Sequence, residues 1–254
     1  VRALQRPVAA ALACAAVFLT GLCHPAPAAA DTNEWIAFAG LAPGTAIGQL
    51  SPQEHGMYVC TLGFIARQKT THAMKAITAG HCDHTATGQP TVFYTESSNP
   101  DTARPLGIYS RSIARGTDTG TSPGGLPALT DAGVIDMNPS VFVSSYQIAG
   151  AYRVTRTLRP NPPLAPGTEV CKYGVRTGET CGPVISADTD RVLVRLKLTD
   201  GDSGAPAYIK TGDNTVTAVG LLSGHLRQDD SIAAIYYLYP VIEALGLQVC
   251  GDCE

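Results

Sequence analysis

The run Gly201-Asp202-Ser203-Gly204-Ala205-Pro206 sets a serine between small residues. Such a serine can sit on a tight turn with its hydroxyl exposed and neighbouring backbone N–H groups converging. A serine hydroxyl is a weak nucleophile until a nearby base takes its proton and a third group orients that base. Both groups stand upstream. His81 lies in Thr78-Ala79-Gly80-His81-Cys82, and Asp131 opens the apolar stretch Asp131-Ala132-Gly133-Val134-Ile135. Together the three side chains can carry out acyl transfer. Plainer roles exist for each: a histidine beside a disulfide, a turn serine, and an aspartate that competes with Asp101, Asp118 and Asp136. Only Asp131 is followed by a short apolar strand pattern. His55, His72 and His84 stand in no motif and read as surface residues. Asp83 and His84 beside Cys82 lack a second ligand pair at suitable spacing, so no metal site is expected, and no cofactor is implied.

The elements that must position these residues read as short strands. Gly and Pro are frequent (26 and 18 residues), charged residues make up only 15% of the chain, and no long amphipathic helix is visible. That composition favours strands joined by turns. Tyr58 to Arg67, Met74 to Thr78, Thr91 to Tyr94, Leu106 to Tyr109 and Ala132 to Ile135 form one β group. Glu169 to Tyr173, Pro183 to Ser186, Arg191 to Lys197, Ala205 to Ile209, Val216 to Ser223 and Ile232 to Tyr237 form a second. Between them, Leu158 to Gly167 carries four prolines and reads as an extended linker. Gly116 to Pro127 reads as a loop. One helix is expected near the end, with Pro240 at a first helical position, Val241 to Leu245 following, and Gly246 as the stop.

The N-terminal stretch reads as a processing signal. Arg2 and Arg6 precede an apolar run from Val8 to Leu22, and small residues end at Ala28-Ala29-Ala30, as in a secretory signal peptide cut after residue 30. A lipid anchor at Cys23 is the rival reading, which the bulky Leu22 disfavours. No other stretch approaches a membrane span. Residues 31–56 read as a short lead-in or pro-segment. The formal charge is −3, and no basic run suggests a nucleic-acid partner. Six of the eight cysteines lie beyond the signal, an even set that reads as disulfides in an exported protein. Sequence proximity pairs Cys60 with Cys82, Cys171 with Cys181, and Cys250 with Cys253. The last pair is also a CxxC, but its place at the tail after a helix favours a small-loop disulfide over a redox site.

The order His, Asp, Ser and the motifs around each residue resemble the chymotrypsin/trypsin-like serine peptidases, nearest the secreted bacterial streptogrisin and α-lytic type. Supporting motifs are Val170-Cys171-Lys172-Tyr173-Gly174 with Thr177-Gly178, and Gly220-Leu221-Leu222-Ser223-Gly224. The resemblance spans Met57 to Val249. It implies an all-β fold of two six-stranded antiparallel β-barrels with a short C-terminal helix. The first barrel would cover 57–158, and the second, with the helix, 159–254. Ser203 would be the nucleophile, His81 the general base and Asp131 its orienting partner. The N–H groups of Gly201 and Ser203 would form the oxyanion hole. Ser223, Gly224 and His225 would form an edge that pairs with substrate. The implied function is a secreted, monomeric endopeptidase acting on proteins or peptides. The alternative is a protease-fold binding or cell-surface protein with little turnover.

Three departures from the resemblance carry their own expectations. Streptogrisin-type chains place Arg after the cysteine that opens the second barrel; here Lys172 stands there and is expected to pair with Asp202. His225 replaces a usual Gly and would crowd the primary pocket. The cysteine usually found shortly before the nucleophile is missing, and Lys197, His225 and Arg227 together would favour an acidic side chain.

Overall fold

The computed structural model describes residues 35, 40–51, 56–86, 89–97, 99–114, 130–251 and 253. The expected signal peptide, most of residues 31–39 and the Gly116–Pro127 loop lie outside the described residues. Fifteen strands and one short α-helix are described. In chain order they are β1 (Ala46–Ser51), β2 (Gly56–Thr61), β3 (Phe64–Gln68), β4 (Met74–Thr78), β5 (Thr91–Thr95), β6 (Arg104–Ile113), β7 (Ala132–Met137) and β8 (Arg153–Thr157). There follow β9 (Glu169–Gly174), β10 (Gly178–Ala187), β11 (Arg191–Arg195), β12 (Pro206–Lys210), β13 (Thr215–Leu226), β14 (Asp229–Tyr237), α1 (Tyr239–Ala244) and β15 (Leu247–Val249).

Two sheets result, and each wraps a core. The first runs β15-β3-β4-β7-β6-β5-β1-β2. The second runs β12-β9-β10-β11-β14-β13-β8, and a β12–β13 pairing closes six of its strands into a barrel. The all-β, two-barrel expectation therefore holds, with different strand counts. The sheets hold eight and seven strands, and β8 pairs with β13 in parallel while the other ladders are antiparallel.

Strand edges also move the expected domain boundaries. β1, read as lead-in, is an internal strand of the first sheet between β5 and β2. Its Gln49 is fully buried and donates from Nε2 to the Gln89 carbonyl at 2.8 Å, a burial that a polar residue in the pattern hides. β8, read as first barrel, belongs to the second sheet; it carries one buried apolar side chain, Val154, so its alternation is faint. The proline-rich stretch accordingly joins β8 to β9 within the second sheet. β15 returns from α1 to pair with β3 in the first sheet. The continuous strand expected over Tyr58 to Arg67 breaks at Leu62-Gly63 into β2 and β3.

The strands nearest the junction read as unbroken apolar runs because both of their faces are covered. In β13, Val216, Ala218 and Leu221 face the core shared by the two sheets, while Val219 and Leu222 face the interior of the second barrel. β3 does the same from the other side: Phe64 and Ala66 enter the shared core and Ile65 the first barrel. Leu238, Val241 and Ile242, at the start of α1 and within it, also fill the shared core. This common apolar layer sets the relative position of the β4 and β7 ends that carry His81 and Asp131 and the β12 approach that carries Ser203. Phe64→Ala removes a fully buried ring from it and should cost about 3–5 kcal/mol of stability. Urea unfolding reads this directly, and an unchanged midpoint would contradict the assignment of Phe64 to this core.

Candidate active site

His81 lies in a single 3-10 turn, Gly80–Cys82, that follows β4. A disulfide from Cys82 to Cys60 at the end of β2 staples this turn to the sheet. Asp131 immediately precedes β7, and β7 pairs with β4, so the ladder sets the two residues side by side. The Asp131 carboxylate is 1% exposed and takes three hydrogen bonds. The His81 backbone N–H donates to Oδ1 at 3.0 Å, the His81 ring meets Oδ2 through Nδ1 at 2.8 Å, and Ser223 Oγ donates to Oδ2 at 2.5 Å. Burial alone would push the Asp131 carboxyl up. The His81 and Ser223 hydrogen bonds and the His81 charge overcome that and hold it below the usual aspartate range. Burial likewise opposes the charged His81 ring, yet the Asp131 contact raises it above its ordinary value. The contact through Nδ1 leaves Nε2 as the nitrogen able to exchange a proton with a substrate or nucleophile.

Ser203 sits between Gly201 (φ +96°) and Gly204 (φ +84°), both in the left-handed region that favours glycine. This backbone makes the sharp turn inferred from the sequence. The Ser203 side chain is half-buried. Its carbonyl accepts the Thr61 N–H at 2.7 Å, while Gly204 N donates to Leu222 O at 2.7 Å and Ala205 N to Asp202 O at 2.9 Å. Among the described residues, the N–H groups of Gly201 and Ser203 have no acceptor. Ser203 Oγ likewise makes no hydrogen bond among the described residues; in unliganded sites such contacts are often long and tighten when substrate binds.

Behind the turn, Asp202 and Lys172 are both fully buried, with Nζ 3.3 Å from Oδ2. The carboxylate also receives the N–H groups of Arg176 (2.9 Å) and Thr177 (3.2 Å) on Oδ1, and Thr177 Oγ1 (2.6 Å) and the Thr199 N–H (3.2 Å) on Oδ2. Lys172 Nζ donates further to Thr177 Oγ1 and to the Gly178 carbonyl at 3.0 Å. Burial pushes the Lys172 ammonium below its ordinary value, although the Asp202 charge and hydrogen bond pull the other way. Gly174 is needed for the close approach: a β-carbon there would stand 2.2 Å from Asp202 Oδ1.

The other residues singled out in the sequence are placed as follows. Asp136 pairs with Lys75 at 2.7 Å, Asp101 is exposed, and Asp118 lies outside the described residues. His84 stacks on Tyr58 with ring centroids 4.0 Å apart, and His55 lies outside the described residues. His81 lies close to Cys60 and Cys82, but both sulfurs are in the disulfide and offer no thiolate to a metal. Cys171–Cys181 links facing residues of β9 and β10, and Cys250–Cys253 closes the tail. Ser223, expected in the edge that pairs with substrate, turns its hydroxyl to Asp131 and leaves that backbone edge unaffected. Gly224 has φ +153°. The His225 ring is held through Nδ1 at 2.6 Å from the Asp230 carbonyl across the β13–β14 turn. Lys197 and Arg227 are exposed, and among the described residues no contact joins either one to His225.

Sequence reasoning missed Thr61. This fully buried threonine accepts the Val175 N–H at 3.1 Å and donates to the Gly201 carbonyl at 2.8 Å, while its own carbonyl accepts from Thr78 Oγ1 at 2.8 Å. A polar residue next to Cys60, in a strand otherwise turning apolar, was the only signal.

Comparison with known proteins places this geometry in context. No protein-family model matches the chain. The uncharacterized protein Rv1815 of Mycobacterium tuberculosis is 29% identical over 196 residues, covering 73% of this chain and 79% of that protein. Among solved structures, Thermobifida fusca Protease A superposes with TM-score 0.54 at 22% identity, over 83% of this chain and 98% of its own. A glutamic acid-specific serine protease, described as using a histidine triad in substrate binding, gives TM-score 0.56 at 17% identity over 83% and 100%. The fold is that of the bacterial chymotrypsin-like serine proteases. Among the described residues no helix is long and apolar enough to cross a membrane.

Replacing Lys172 by Met should leave Asp202 buried without its cation. Removing one partner of a buried ion pair costs about 3–5 kcal/mol, so the denaturation midpoint of Lys172→Met should fall steeply. A variant as stable as the wild type would show that the N–H and hydroxyl donors alone hold Asp202.

Proposed function

We propose that this protein is a secreted serine endopeptidase that hydrolyses peptide bonds through an acyl-enzyme. The observation that carries this reading is the buried Asp131 carboxylate gripping both the backbone and the ring of His81. That grip fixes the tautomer in which Nε2 is the base. The two-barrel protease fold supports the same reading, as do the glycine-flanked turn at Ser203 and the acceptor-free N–H groups beside it.

In the proposed reaction, Ser203 Oγ attacks the scissile carbonyl carbon as His81 Nε2 takes the hydroxyl proton. Negative charge gathers on the carbonyl oxygen, where the Gly201 and Ser203 N–H groups stabilise it. The imidazolium, steadied by ionised Asp131, gives its proton to the leaving amine as the C–N bond breaks. Water then enters by the same route and releases the acid. Three disulfides suit an oxidising compartment outside the cytoplasm, which agrees with the N-terminal signal read from the sequence. Peptides or proteins are the proposed substrates, with a single chain as the working unit.

A fluorophosphonate probe tests the assembly. The wild type should label, and Ser203→Ala and His81→Ala should not. A folded, disulfide-bonded wild type that fails to label would overturn the reading in favour of a binding module on a protease fold.

The labelling rate should also depend on pH in a defined direction. His81 must be neutral to act as base, and its raised pKa places the acid limb above the ordinary imidazole value of about 6.5. Asp131→Asn removes the charge that raises it, so the limb should move to lower pH while the rate falls by about 10⁴-fold. An acid limb that stays in place in Asp131→Asn would exclude Asp131 as the partner of His81.

A further inference from the structure

Arg176 lies in the turn between β9 and β10 and touches the nucleophile turn in two ways. Its backbone N–H donates to Asp202 Oδ1 at 2.9 Å. Its side chain lies along Gly201, where an added β-carbon would stand 3.0 Å from Cγ and 3.1 Å from Nε. The Arg176 stem therefore covers the residue whose N–H faces the proposed oxyanion. The guanidinium continues past Gly201 to the ring of Trp35, 5.7 Å from its centroid. Trp35 comes from the segment ahead of β1 and is half-buried. It is also the single tryptophan of the chain.

An arginine side chain has many rotamers, and each contact to its guanidinium narrows them. A cation seated on an indole face is held by attraction to the ring quadrupole. We propose that Trp35 is a positioning residue for the oxyanion turn. By seating the Arg176 guanidinium, it adds to the hold on the Arg176 stem against Gly201 and so narrows the direction of the Gly201 N–H within the turn that Asp202 and Thr61 anchor. Trp35 touches neither substrate nor the reacting atoms; it acts through Arg176. The inference rests on the serine endopeptidase reading and deepens it. The lead-in around Trp35 belongs to the working enzyme and is not a pro-segment to be discarded.

The test uses the full chain, exported and purified, with Trp35→Ala, Trp35→Phe and Arg176→Gln. N-terminal sequencing should show Trp35 retained; a start beyond residue 35 in active protein overturns the inference. Loss of one cation–π contact made only to orient the turn predicts that Trp35→Ala lowers kcat by about 3- to 10-fold. KM and the thermal midpoint should stay near wild type, and Trp35→Phe should recover most of the rate. A merely structural role would instead lower the thermal midpoint or move KM and kcat together, and either result overturns the inference.

The lone indole gives a readout independent of catalysis. Arg176→Gln should shift its emission to the red as the ring loses its cover, and an unshifted spectrum overturns the contact. Fluorophosphonate labelling separates the two levels. A wild type that labels beside a Trp35→Ala of equal kcat overturns only the role of Trp35. A wild type that does not label overturns the endopeptidase reading and this inference with it.

Discussion

A carboxylate with no access to water must find its partners inside the protein, and Asp202 makes that demand one residue before Ser203. Its needs are met from three directions: Lys172 on β9, the Arg176–Thr177 turn that follows, and the Thr199 N–H. Each donor fixes a different piece of chain relative to the same two oxygens. The turn at Ser203 therefore cannot rotate without stripping a buried charge of several hydrogen bonds at once, a penalty of several kcal/mol. The positive φ angles of Gly201 and Gly204 permit the turn, but the Asp202 cradle selects it. The lysine serves here as a point charge without arginine's fork. Its second and third donors go to Thr177 Oγ1 and the Gly178 carbonyl. The cradle is thus closed by neighbours where a guanidinium would close it alone.

The second constraint is that the site is divided between two sheets. His81 and Asp131 come from the first, and Ser203 follows β11 in the second. Neither half holds all three side chains, so their spacing depends on the junction. Apolar packing supplies most of the hold, through Phe64, Ile77, Leu221 and Leu238. Polar contacts then set the register. Thr61, from β2, binds Gly201 O through its hydroxyl and Ser203 O through its N–H, which ties both ends of the nucleophile turn to the strand that also carries Cys60.

The sequence marked the candidate site residues and the fold class more sharply than the strand boundaries. Residues 81, 131 and 203 stand in short local patterns because each needs a particular backbone within two or three positions of itself. Lys172 and Asp202 were legible for a different reason: a buried carboxylate requires a partner, and the resemblance places a cation at position 172, where the pair forms. The strand boundaries were less legible. β1 hides a buried Gln49 inside an otherwise uneven pattern, β15 is three residues long, and β8 buries a single valine. β8 and β15 are placed by pairing with strands distant in sequence, and β1 pairs with distant β5 as well as with its neighbour β2, which no local pattern encodes. The Ser223 hydroxyl contact was not legible because its partner, Asp131, lies 92 residues away.

That last contact joins the two halves of the protein. Ser223 belongs to β13 of the second barrel, while Asp131 belongs to the first sheet. The hydroxyl that helps keep Asp131 ionised therefore arrives only when the two halves are docked. An Asp131 without it would keep its burial cost and lose one of the donors that offset that cost. Barrel docking thus completes the set of donors that holds the Asp131 carboxylate against the His81 ring. The shared apolar core and the polar site are in this sense one cooperative unit. Loosening the packing would also remove the Ser223 donor from the Asp131 carboxylate.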